Sequence, residues 1–65
     1  MYEYVLEVIN QGGRIGGSYL NLYNAQSQLI LNDSGSPMKV RRSIVDKLLA
    51  NGAVTVRDRQ YVKAA

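Results

Sequence analysis

The sequence predicts a small α+β domain in which two amphipathic helices alternate with two β-hairpins along a single 65-residue chain, residues 1–65. Three observations carry that prediction. Apolar side chains recur at helical period in residues 2–11 and 41–51, and a glycine follows each run, Gly12 and Gly52. Short alternating runs come in two pairs, 19–23 with 28–32 and 53–57 with 60–63, each separated by a connection of hairpin length. The remaining segments, around Gly12–Gly17 and Asp33–Pro37, have the composition of turns.

The N-terminal helix is read from the sorting of its faces. At about 100° per residue, Tyr2, Val5, Leu6, Val8 and Ile9 gather on one arc, and Glu3, Glu7 and Asn10 gather on the opposite one. As a strand, the same residues would place Tyr2, Tyr4, Leu6 and Val8 on one face, and the Val, Ile and Tyr content suits that alternative. The polar arc is clean only at helical period, which favours the helix. Gly12-Gly13-Arg14-Ile15-Gly16-Gly17 follows, with four glycines in six positions. It lacks the Lys-Ser/Thr of a Walker loop and the GxGxxG spacing of a dinucleotide site, so it reads as two tight turns around a short extended piece.

Tyr19–Tyr23 and Gln28–Asn32 form the first predicted hairpin, joined by Asn24-Ala25-Gln26-Ser27. Pairing Tyr23 with Gln28 sets Leu22 opposite Leu29 and Leu20 opposite Leu31, which gathers four leucines on one face. Tyr19, Tyr23 and Ile30 then fall on the other face, among amides. Asp33–Pro37 is a turn, and its single carboxylate is too few for a calcium loop. The second helix has two candidate starts, Ser36-Pro37 and a capping box from Ser43 to Asp46. Val40, Ile44, Val45, Leu48 and Leu49 cover a half-circle that Arg41 would interrupt, so the regular helix is expected to begin near Arg41 or Arg42, after an extended approach through Val40. In the last hairpin, Arg57-Asp58-Arg59 forms the tip. Without glycine or asparagine there, a loose loop is expected in place of a tight type I′ turn.

Composition removes several function classes. The chain has no cysteine and no histidine, hence no disulfide, no thiolate or imidazole metal ligand and no histidine general base. The five carboxylates are dispersed and no nucleophile has a base at a recognised spacing, so no catalytic residue, metal site or cofactor is assigned and the protein is read as a non-enzymatic binding module. No apolar run approaches the roughly 18 residues needed to span a bilayer, and Met1-Tyr2-Glu3-Tyr4 has an acid where a signal peptide needs a base, so a cytoplasmic protein without a membrane partner is expected.

The net charge of +3 hides a division at Pro37. Before it, one base faces three acids; from it onward, Lys39, Arg41, Arg42, Lys47, Arg57, Arg59 and Lys63 face only Asp46 and Asp58. Clustered Lys and Arg gain affinity by displacing counterions from phosphates. The first functional expectation is therefore binding of DNA or RNA through Arg41, Arg42, Lys47, Arg57, Arg59 and Lys63. An alternative of another class is an interaction surface for a second copy or another protein, built on Tyr19, Tyr23 and Ile30.

The run Val40-Arg41-Arg42-Ser43-Ile44-Val45-Asp46-Lys47-Leu48-Leu49-Ala50-Asn51-Gly52-Ala53-Val54, followed by a hairpin, resembles the closing half of a winged helix-turn-helix DNA-binding domain, over about residues 40–63. The resemblance implies a helix that enters the major groove and a β-hairpin wing that touches the backbone. It implies that Arg41, Arg42 and Lys47 lie on or beside the recognition helix, and that Arg57, Arg59 and Lys63 belong to the wing. The family also places a helix immediately before the recognition helix, where residues 19–32 of this chain read as a hairpin.

Overall fold

The computed structural model describes residues 1–65 as α1 (Tyr2–Asn10), β1 (Arg14–Gly16), β2 (Asn21–Tyr23), α2 (Arg42–Ala50), β3 (Val54–Arg57) and β4 (Gln60–Lys63). The strands form one antiparallel sheet in the order β2-β1-β4-β3. The short extended piece between the glycine turns is thus a central strand, paired with β2 through Ile15↔Leu22 and with β4 through Ile15↔Tyr61. Alternation along the strands puts Ile15, Leu22, Val54 and Tyr61 on the face that the helices cover. Arg14, Tyr23, Thr55, Arg57 and Val62 lie on the outer face.

The core is a single cluster of nine buried aliphatic residues, in which Val5, Val8 and Ile9 of α1 and Val45 and Leu48 of α2 meet Ile15, Leu22, Val40 and Val54. Both helices end as their glycines predict. The Gly13 N–H donates to the Val8 carbonyl and Gly12 to that of Ile9, with Gly12 at φ +104°; Ala53 donates to Leu48 and Gly52 to Leu49, with Gly52 at φ +70°. These paired bonds are Schellman motifs, and the left-handed residue each needs is glycine. The helix α2 starts at Arg42, after an extended Arg41 at ψ 144°, as the periodicity requires. The capping box does not form: Asp46 is held by Arg42, and no side chain caps the helix. No helix is long and apolar enough to cross a membrane.

The first hairpin departs from expectation. The main partner of β2 is β1, and residues 28–32 touch it only through the bridge Tyr23↔Leu29, one residue away from the expected register. The Asn24 Oδ1 accepts from the backbone N–H groups of Gln26 and Gln28, which builds a five-residue loop where four residues were expected. One added residue reverses the alternation. Ile30 therefore packs on the core, while Leu29 and Leu31 face solvent, and the four leucines do not share a face.

Beyond Leu29 the chain repeats the device. The Asn32 Oδ1 accepts from Ser34 and Ser36 just as Asn24 does from Gln26 and Gln28, and the fourth residue of each turn is left-handed, Ser27 at φ +63° and Gly35 at φ +78°. The two turns bring Leu22, Ile30 and Met38 into a closed ring of backbone hydrogen bonds. Leu22 donates to Met38 (3.1 Å), Met38 to Ile30 (2.9 Å) and Ile30 to Leu22 (3.0 Å). Residues 24–41 thus form a folded β-arm with no helix in it.

Candidate nucleic-acid interface

Three segments meet at one end of the sheet. The β1–β2 connection leaves the sheet at Gly17, and Leu20, its last residue, accepts a hydrogen bond from the Val40 N–H (2.9 Å), which fixes the approach to α2 beside it. The β3–β4 turn closes the same end, where Gly17 and Ser18 join Asp58, Arg59 and Gln60 around an open polar cavity of about 400 Å³. The first turn of α2 is anchored there too, since the Arg42 Nη1 donates to the Tyr61 hydroxyl (2.9 Å).

The β3–β4 turn is tight. Arg57 pairs with Gln60, leaving only Asp58 and Arg59 in the loop at φ +52° and +65°. Two positive φ values in a two-residue hairpin are the type I′ geometry, which overrides the loose loop expected from composition. Pairing of β4 with both β1 and β3 holds the two residues in a conformation that their own preferences oppose. The tip of the hairpin is consequently short, and Arg57 and Arg59 are held close to the sheet end.

Of the six bases expected to contact nucleic acid, Arg41, Arg42, Arg57 and Arg59 belong to segments at this end and are exposed, Arg42 on the helix-bearing side with Tyr61 and Arg57 on the outer face of the sheet. Lys47 and Lys63 do not join them. Lys47 stacks its Nζ 4.9 Å from the ring centre of Tyr2, toward α1, and Lys63 sits opposite Val54 at the far end of the hairpin. Lys39 was not among the expected residues, yet it lies at the same end: it is bridged to Asn21 and rests 4.8 Å from the ring centre of Tyr19. Its signal was its place just before the helix, on the extended approach that carries the same chain end.

The electrostatics of this end are one-sided. Five bases face two acids, Asp46 and Asp58, and Asp46 is engaged in the one ion pair of the molecule, with Arg42 Nε at 3.1 Å. The Tyr61 hydrogen bond, then the charges of Tyr61 and Asp46, hold the pKa of Arg42 above its ordinary value. A raised pKa contributes stability below the guanidinium's ordinary pKa and loses it only as pH rises through the folded value, so Arg42 stays cationic throughout neutral conditions. Arg41 and Arg42 also stand at the positive end of the α2 dipole, an arrangement unfavourable for the helix and favourable for a bound anion.

The residues expected to form a protein-contact surface are dispersed. Tyr19 is 68% exposed beneath Lys39. Tyr23 lies on the outer sheet face, half-buried, with the Arg14 guanidinium 4.4 Å from its ring centre and bonded onward to the Ser27 hydroxyl. Ile30 points inward against the core. No group of three or more potential metal-ligating side chains comes together. The chain matches no family model, no curated protein and no solved structure.

Proposed function

We propose that this protein binds nucleic acid by its phosphate backbone, using the basic end formed by Lys39, Arg41, Arg42, Arg57 and Arg59. The observation that carries the reading is the placement at one sheet end of three separate segments that carry these bases, with the acids either paired or outnumbered. Affinity comes from neutralised phosphates, and the open N-terminus of α2 adds backbone N–H groups directed at an anion.

On the winged-helix resemblance, α2 would serve as the recognition helix and the β3–β4 hairpin as the wing, two elements that Arg42 links through Tyr61. The chain departs from that family in having the β-arm, with no helix, before α2. The exposed residues of α2 are Arg42, Ser43, Asp46, Lys47 and Ala50; Arg42 is paired with Asp46 and Lys47 leans on Tyr2, so the helix meets its target by its N-terminus and reads little sequence. A cytoplasmic location goes with this reading.

Fluorescence anisotropy with labelled duplex and single strands tests it. With about four phosphates neutralised, affinity falls roughly a hundredfold between about 50 and 200 mM salt, with little dependence on sequence. Absence of binding to either form at the lower salt overturns the proposal.

A further inference from the structure

We infer that two copies of this chain associate by antiparallel pairing of their β3 strands, a surface that adjoins the basic end at Arg57. The sheet has two edges and only one is closed. Along β2, the Leu22 N–H donates to Met38, and the carbonyls of Leu22 and Leu20 accept from Ile30 and Val40, so the β-arm takes up the outward backbone groups. The β3 edge has no such cover. The bond from the Ala64 N–H to the Ala53 carbonyl (3.1 Å) sets the phase of the hairpin: residues 53, 55 and 57 turn their backbone groups to β4, and Val54 and Val56 turn theirs outward.

Exposed edges in folded proteins are blunted by proline, bulges, inward charges or a covering segment. Val54-Thr55-Val56-Arg57 is short, four residues, and carries one charge, Arg57, at its end, but it has no proline, bulge, inward charge or covering segment, and Val56 is 58% exposed on the helix-bearing side.

The strand is complementary to itself, which identifies the occupant as a second copy. A two-fold axis at Thr55 pairs Val54 with Val56 of the partner subunit, and Val56 with Val54 of the partner subunit, giving two hydrogen-bonded pairs. Thr55 then faces its own copy, a favourable cross-strand pair on the outer face. Arg57 falls opposite Ala53 of the partner subunit, so the two guanidinium groups stay at opposite ends of the joint. The core of nine aliphatic residues is small, and short chains without disulfides or metals commonly gain stability from a partner. The subunits each carry +3, so their association strengthens as salt rises, the reverse of the behaviour expected for binding to a polyanion.

Sedimentation equilibrium combined with amide hydrogen exchange tests the inference. As concentration rises from about 10 µM to about 1 mM, a range suited to a small interface, the mass should climb from 7.2 kDa toward twice that value. Over the same range the Val54 and Val56 amides should become protected, while those of Thr55 and Arg57 are protected throughout. Val56→Lys should keep the chain monomeric with an unchanged circular dichroism spectrum, and Leu29→Lys, which changes an exposed residue elsewhere, should leave association intact. A monomer at every concentration overturns the inference, as does a dimer that Val56→Lys does not weaken or in which the Val54 and Val56 amides exchange freely. The exchange measurement uses the unaltered protein, so it decides the matter even where a variant folds poorly.

Discussion

Asp58 and Arg59 occupy left-handed conformations at φ +52° and +65° without the glycine or asparagine that such a turn prefers. Each left-handed L-residue costs roughly 1–2 kcal/mol, and Asp bears it more readily than Arg. Arg59→Gly, which completes the Asp-Gly pair that such a turn prefers and leaves Asp58 in place, should therefore stabilise the domain by about 1 kcal/mol in a denaturant titration. The same exchange deletes the Arg59 charge, so binding to nucleic acid should weaken and its salt slope should fall by about 0.9. A rise in stability together with a loss of affinity is what a turn retained for its charge predicts. Gly13 has the opposite character. A Cβ there would lie 2.5 Å from Val8 Cγ1 and 2.8 Å from the Val8 carbonyl oxygen, and it would also press on the Tyr23 carbonyl. These neighbours belong to α1 and β2, and backbone atoms cannot swing aside. Gly13→Ala should cost about 3 kcal/mol, measured by thermal or denaturant unfolding.

Among the elements, the helices were legible because two signals agree in each: an apolar arc at helical period and a glycine that closes a Schellman motif. The last hairpin was legible for the same kind of reason, since Val54 to Arg57 and Gln60 to Lys63 alternate and are adjacent in sequence. Its turn was not, because tertiary pairing forced a geometry that the local residues disfavour. The β-arm was the least legible part. Its period of eight residues is marked only by Asn24 with Asn32 and by the inward apolar residues Leu22, Ile30 and Met38, and the rest of the likeness lies in backbone hydrogen bonds. The expected register failed at Asn24, whose side chain lengthens the loop by one residue and turns Ile30 into the core. Asn24→Ala and Asn32→Ala should each lose about 1 kcal/mol. Exchange of the Gln26 and Gln28 amides, or of Ser34 and Ser36, should speed up locally while the central sheet stays protected. Asn→Asp at either position keeps the acceptor oxygen and should retain the turn.

On the scale of the whole molecule, the charge asymmetry seen in the sequence becomes a spatial one only through the fold. The division at Pro37 separates the two halves by charge, but it could not tell which bases of the second half the fold would carry to one end of the sheet. Lys47 follows the side of α2 that faces α1, and Lys63 is carried to the wrong end of its strand by the length of the hairpin. Lys39 reaches the same end because the β-arm returns it to Asn21, a contact between residues far apart in sequence. Total charge and local placement can therefore be separated by experiment. The double variants Arg41→Glu/Arg57→Glu and Lys47→Glu/Lys63→Glu each take the net charge from +3 to −1, so bulk electrostatics treats them alike. Their affinities for one labelled oligonucleotide, measured side by side by anisotropy at low salt, test the basic end most directly. The first pair should lose about a hundredfold and about two from the salt slope, with the second pair staying within roughly threefold of the unaltered protein. Equal losses in the two pairs would contradict the account, because binding would then follow net charge and not the end of the sheet that carries these side chains.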